Sequence, residues 1–133
     1  MNRKQITLYL VLVAISFTLE RNNVKCNKET LQTILISLTH HFFSVYIYFG
    51  TFIFKFYKFN LLAIFVTILG WLVNRNRCFL TLYYNQLCDI PEKQSFYDIT
   101  YEINKIIKLK NLHYYILAVI TVYNIYMLLP KKT

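Results

Sequence analysis

Residues 33–54 read TILISLTHHFFSVYIYFGTFIF. These 22 residues hold no acidic or basic group other than His40 and His41. As a helix rising 1.5 Å per residue the stretch would be about 33 Å long, enough for a bilayer's hydrocarbon core. A four-residue link, Lys55-Phe56-Tyr57-Lys58, joins it to residues 59–74, FNLLAIFVTILGWLVN. So short a link makes the two an antiparallel helical hairpin. The second arm reaches only about 24 Å, so Lys58 and Arg75 are expected to snorkel outward.

Two further apolar stretches flank the hairpin. Residues 6–19 follow the basic start Met1-Asn2-Arg3-Lys4, and residues 111–129 end at Pro130-Lys131-Lys132. The first has the length of a signal-peptide core. No small-x-small cleavage site follows it, so it reads as an uncleaved first helix, with a cleaved signal as the alternative. Trp71, Tyr57, Tyr114 and Tyr126 stand near stretch ends, as interfacial aromatics do.

The composition agrees. Of 133 residues, 56% are hydrophobic and only 16% charged, where a soluble domain carries roughly a quarter charged. That argues against a soluble enzyme and against disorder. The net charge of +9 would suggest nucleic acid if it formed a free basic face. Here the basic residues flank apolar runs, so a lipid surface is the expected partner and nucleic acid is not. Heavy use of Phe, Tyr, Ile, Asn and Lys points to an AT-rich genome, as in some large DNA viruses, organelles, parasites or symbionts. The tyrosines accordingly weigh less as functional markers.

The connection 75–110 contains Asp89-Ile90-Pro91-Glu92, a turn signal. Ser95 resembles an N-cap with Asp98 three residues on. Phe96, Ile99, Ile103, Ile106 and Ile107 then recur at helical spacing opposite Asp98, Glu102, Lys105 and Lys108. An amphipathic helix lying on the membrane over 95–110 is the expectation.

Polar residues form stripes at spacings of three and four. One runs Thr33, Ser37, His40 or His41, Ser44, Tyr48 and Thr51; another runs Asn60, Ala63, Thr67, Gly70 and Asn74; His113, Thr121 and Asn124 are looser. Such faces pack helices together by hydrogen bonds and close approach. With four spans, all six acidic residues, Cys26, Cys78, Cys88 and His113 fall on one side. A disulfide between Cys78 and Cys88 and buried free thiols are both open there. Three Cys and three His allow a metal or haem site, but no CxxC, HxxxH or HExxH spacing occurs, so no cofactor is predicted. No Ser-His-Asp order, phosphate loop or carboxylate pair is visible, so an enzyme is not the expectation.

Two elements carry a resemblance. His40 and Gly50 form H-x9-G; Cys78, Leu80, Thr81, Asn85 and Leu87 form C-x-L-T-x3-N-x-L, and Asn124 adds a third point. This resembles a family of small uncharacterised bacterial four-helix membrane proteins, over about residues 39–129. The chain differs in Tyr84, where the family has an acidic residue, and in the spacing of the two elements. The resemblance implies a fold and a membrane location, and no activity.

The sequence thus predicts one all-α membrane domain over 1–133, polytopic, with spans at 6–19, 33–54, 59–74 and 111–129 and one interfacial helix. Its functional or packing pole comprises His40, His41, His113, Cys78, Thr81, Asn85 and Asn124. The expected role is structural or assembly, with the bilayer, a membrane-protein partner or a second copy as partners. A redox, metal or haem protein using the His/Cys pole, and a small transporter or channel subunit, are the alternatives.

Overall fold

The computed structural model describes residues 2–130; Met1, Lys131 and Lys132, assigned above to the flanks of spans, lie outside them. Six helices follow in order: α1 Arg3–Asn23, α2 Leu31–Phe54, α3 Tyr57–Val73, α4 Phe79–Cys88, α5 Ile99–Ile107 and α6 Leu112–Leu128. Local chemistry sets their ends. At α1 the Asn2 side chain accepts from the Lys4 amide, and the Gln5 side chain accepts from the Asn2 amide. At α2 the hydroxyls of Thr30 and Thr33 each accept the other's amide. Both are reciprocal caps that satisfy orphan donors. With only 2 glycines in the chain, left-handed turns fall to other residues: Lys55, Arg75, Asn76, Asp89, Lys108 and Asn111 all have positive φ. Each costs of order 1 kcal/mol, least at Asn and Asp.

α2 is the central helix, packed by α1, α3, α4 and α6, while α3 and α6 also pack on each other. Ile47, Tyr48, Ile64, Leu117 and Ile120 form the apolar core, with Ala63, Ile68 and Trp71 against them. Thr33, Ser37, His40, His41, Ser44, Tyr48 and Thr51 are all buried on α2. The polar stripe therefore faces the bundle interior, as its spacing predicts. At one end of the bundle, Thr51 donates to Asn124 Oδ1. Asn124 donates to Asn60 Oδ1 over 2.7 Å, and Asn60 donates to the Tyr46 carbonyl over 3.1 Å. This chain ties α2, α3 and α6 together with every side chain in it fully buried.

The four apolar stretches are helices, but they are not membrane spans. Among the described residues, no helix is long and apolar enough to cross a membrane. α3 and α6 have 17 residues each, so they reach only about 25 Å against a hydrocarbon core of about 30 Å. α2 has 24 residues, but its apolarity is diluted by the polar stripe. α1 includes Arg3, Lys4, Glu20 and Arg21. The polytopic fold class, the transmembrane description and the multi-pass membrane localisation are corrected accordingly to an all-α bundle of six helices. The interfacial helix over 95–110 is corrected with them. Its helical part is α5, nine residues long, capped by Asp98 accepting from the Tyr101 amide and not by Ser95. Residues 79–88, read as part of the connection, form α4.

The disulfide joins Cys26 to Cys88, and Cys78 is free. A Cys78–Cys88 bond is excluded by α4 itself. The two cysteines stand at opposite ends of its 10 residues, about 15 Å apart along the axis, beyond disulfide reach. The observed bond fastens the α1–α2 loop to the end of α4, where Asn27 also donates to the Cys88 and Asp89 carbonyls.

Candidate functional site

His40 and His41 follow each other on α2 and point into different environments. His41 is fully buried against α1. Its Nδ1 lies 2.9 Å from Ser16 Oγ, and its Nε2 lies 2.9 Å from Glu20 Oε2. Ser37 donates to the same carboxylate oxygen. Burial pushes the Glu20 carboxyl up, but the bonds from His41 and Ser37, with the Tyr84 hydroxyl nearby, outweigh it and hold the group below the usual carboxylate range. Tyr84 is pushed well up, first by burial and then by Glu20 beside it. Ser16, His41 and Glu20 have the composition of a hydrolytic triad. Ser16 and Glu20 are 0% exposed, as is His41, and none of them lines the cavity beside His40 or the groove of α2 and α4 around Leu35 and Tyr83. A nucleophile must meet its substrate, so this set works as a tie between α1 and α2.

His40 faces the other way, onto a half-open cavity of about 530 Å³ lined by α2, α3, α4, the 94–98 segment and the starts of α5 and α6. His113, Cys78 and Thr81 line the same cavity. Four of the seven residues expected at one pole therefore converge. His40 Nε2 is 3.4 Å from Thr81 Oγ1, so the two sequence elements that carry the resemblance meet across this gap. The His40 ring lies on Phe96 with centroids 3.6 Å apart. Burial, opposed by Asp98, lowers the His40 pKa to about 4, which keeps the imidazole neutral at pH 7. Its Nδ1 is buried and has no hydrogen-bond partner among the described residues. His113 stands edge-on to Trp71, with centroids 5.1 Å apart, and burial lowers its pKa as well.

The remaining expected residues lie elsewhere. His41 sits behind His40 in the α1 tie. Asn85 shapes the turn after α4, its amide donating to the Gln94 carbonyl at 2.9 Å and to the Pro91 carbonyl at 3.3 Å. Asn124 belongs to the Asn60–Thr51 chain at the other end. Gly50 is needed for packing: a Cβ there would stand 2.7 Å from the Tyr46 ring. Among the described residues, no three His, Cys, Asp or Glu side chains are grouped to hold a metal ion.

The sequence reading missed Ser16, Glu20 and Asp98. Ser16 and Glu20 are four apart on α1, as Ser37 and His41 are on α2, and that shared spacing was the available signal. Asp98 was read as a solvent-facing member of an amphipathic helix. It is buried, with Oδ2 accepting from Ser44 at 2.8 Å and Oδ1 from Thr100 at 2.6 Å and the Tyr101 amide at 2.9 Å. No family model, curated protein or solved structure matches the chain, so the resemblance stated above receives no test from these comparisons.

Proposed function

We propose that the chain is a non-catalytic assembly protein that pairs with a second copy of itself through the outer faces of α3 and α6. The observation that carries this reading is the spacing of exposed apolar residues on those helices. On α3 they are Phe59, Leu62, Val66, Leu69 and Val73, each 45–81% exposed. On α6 they are Tyr115, Val119, Val122 and Tyr126, each 58–68% exposed. Alternating steps of three and four are the repeat of a helix–helix seam, in which apolar knobs enter a facing helix. Neither seam contains a charge, so nothing on them opposes a like surface despite the chain's overall positive charge.

The area supports the same reading. The chain exposes 9080 Å², whereas a compact monomer of its mass exposes about 7,400 Å². A standard interface covers about 800 Å² per partner, and a contiguous apolar patch beyond a few hundred Å² marks an interaction surface.

Sedimentation tests the state directly. The expected result is a dimer for the wild type and a monomer for Leu62→Glu. With Cys78→Ser as background, Leu62→Cys, Val66→Cys and Leu69→Cys tested one at a time should yield a cross-linked pair on mild oxidation, and Leu10→Cys on α1 should not. A monomer at every concentration, or cross-linking at Leu10→Cys alone, overturns the proposal.

A further inference from the structure

Asp98 is a buried carboxylate on a cavity wall, and no lysine or arginine among the described residues pairs with it. Its three partners are neutral donors: two hydroxyls and one backbone amide. Neutral donors solvate a carboxylate but leave its charge uncompensated, and an uncompensated charge in a low-dielectric site attracts an ion of opposite sign. One helical turn before Ser44, which donates to Asp98, stands His40, whose ring borders the same cavity. Tyr48, Trp71, Phe96 and Tyr101 wall the same space, and aromatic faces favour cations.

Two basic groups stand nearby. Arg77 lines the cavity as well, and its guanidinium donates to the Glu92 carbonyl over 2.7 Å. Lys105 is held by Glu102 and Tyr97, with its ammonium 5.9 Å from the Tyr101 ring centre. The cavity, about 530 Å³, falls within the range of small-molecule sites, roughly 300–1,000 Å³.

We propose that this cavity binds a small organic amine, its ammonium group held by Asp98 and its apolar body against the aromatic walls. A primary ammonium has three donors and Asp98 offers it a carboxylate acceptor. A carboxylate ligand placed at Asp98 would meet like charge there.

Trp71, the single tryptophan, lines the cavity and reports on its contents. The probes are 2-phenylethylamine and the matching acid, 3-phenylpropanoate, titrated at pH 7 against the full chain while tryptophan emission is followed. The amine should give a saturable change and the acid none. Asp98→Asn should weaken the amine at least tenfold, since the substitution removes the charge but keeps an acceptor for the Tyr101 amide and so preserves the cap of α5. Gly70→Leu should abolish the response. Gly70 lines the cavity, a Cβ there meets nothing within 4 Å, and leucine is the better helix former. The proposal is overturned if the acid binds as well as the amine, if Asp98→Asn binds the amine like the wild type, or if neither probe gives a saturable change.

Discussion

His40 and His41 differ by one position on α2 and, although both rings meet Phe96, by their polar surroundings. The His41 ring has a partner at each nitrogen, Ser16 and Glu20, and is sealed between two helices. The His40 ring has one long contact to Thr81, an unpartnered nitrogen and a cavity beside it. The step of about 100° between successive helical residues puts one ring into the α1–α2 seam and the other into the space under α4 and α5. The two bonds of His41 tie α1 to α2, whereas the His40 ring borders the cavity.

The largest expected effect comes from the sealed side. Glu20→Ala leaves His41 and Ser37 without their shared acceptor, and a buried polar group left without its partner costs about 1–3 kcal/mol. Denaturant unfolding should register that loss, and a cost near zero would show that α1 is not tied to α2 in this way.

Acid sharpens the comparison. His40 has a folded-state pKa of about 4 against 6.5 for an ordinary histidine, so the unfolded chain takes up that proton first. Its stability contribution is complete above about pH 6.5 and falls as the pH drops toward 4, by about 3 kcal/mol at most. Half-buried His113, also lowered, adds a smaller loss of the same sign. Glu20, lowered from 4.5, contributes stability that is present above that value and is lost as the pH falls through its folded-state pKa. His40→Phe should therefore flatten the stability profile between pH 6.5 and 4.5 and leave the loss below 4.5 in place. An unchanged profile would contradict the neutral, buried state of His40.

Much of the fold was legible. The hairpin of α2 and α3, the helix over most of 111–129 and the inward polar stripe of α2 all follow from spacing, because helical periodicity survives whatever surrounds the helix. The membrane reading failed at α3 and α6 on a quantity that hydropathy does not contain, the regular helical length, and at α1 and α2, with 21 and 24 residues, on apolarity. Residues 111–129 shorten to 17 in α6, since Asn111 turns left-handed and Leu129 leaves the helix. α4 was missed because a run of 10 residues with Thr, two Tyr and an Asn has weak helical propensity, and it is held by packing on α2 and by the Cys26–Cys88 bond. Of the site, His40, His113 and Cys78 were found because such residues in or next to apolar runs stand out, and Thr81 through the C-x-L-T element that carries the resemblance. Ser16, Glu20 and Asp98 were not. Their partners come from helices distant in sequence, and nothing local distinguishes a buried carboxylate from a solvated one.

The most direct test compares the neighbours themselves. His40→Phe and His41→Phe are made separately and unfolded in denaturant at pH 7 with Trp71 emission as the signal. His41→Phe should cost about 2 kcal/mol or more, because it leaves the Glu20 carboxylate buried without its imidazole partner. His40→Phe should stay within about 1 kcal/mol of the wild type, since it removes an unpartnered nitrogen and keeps a ring on Phe96. Equal costs, or a larger cost at His40, would contradict the division of α2 into a sealed face and an open one.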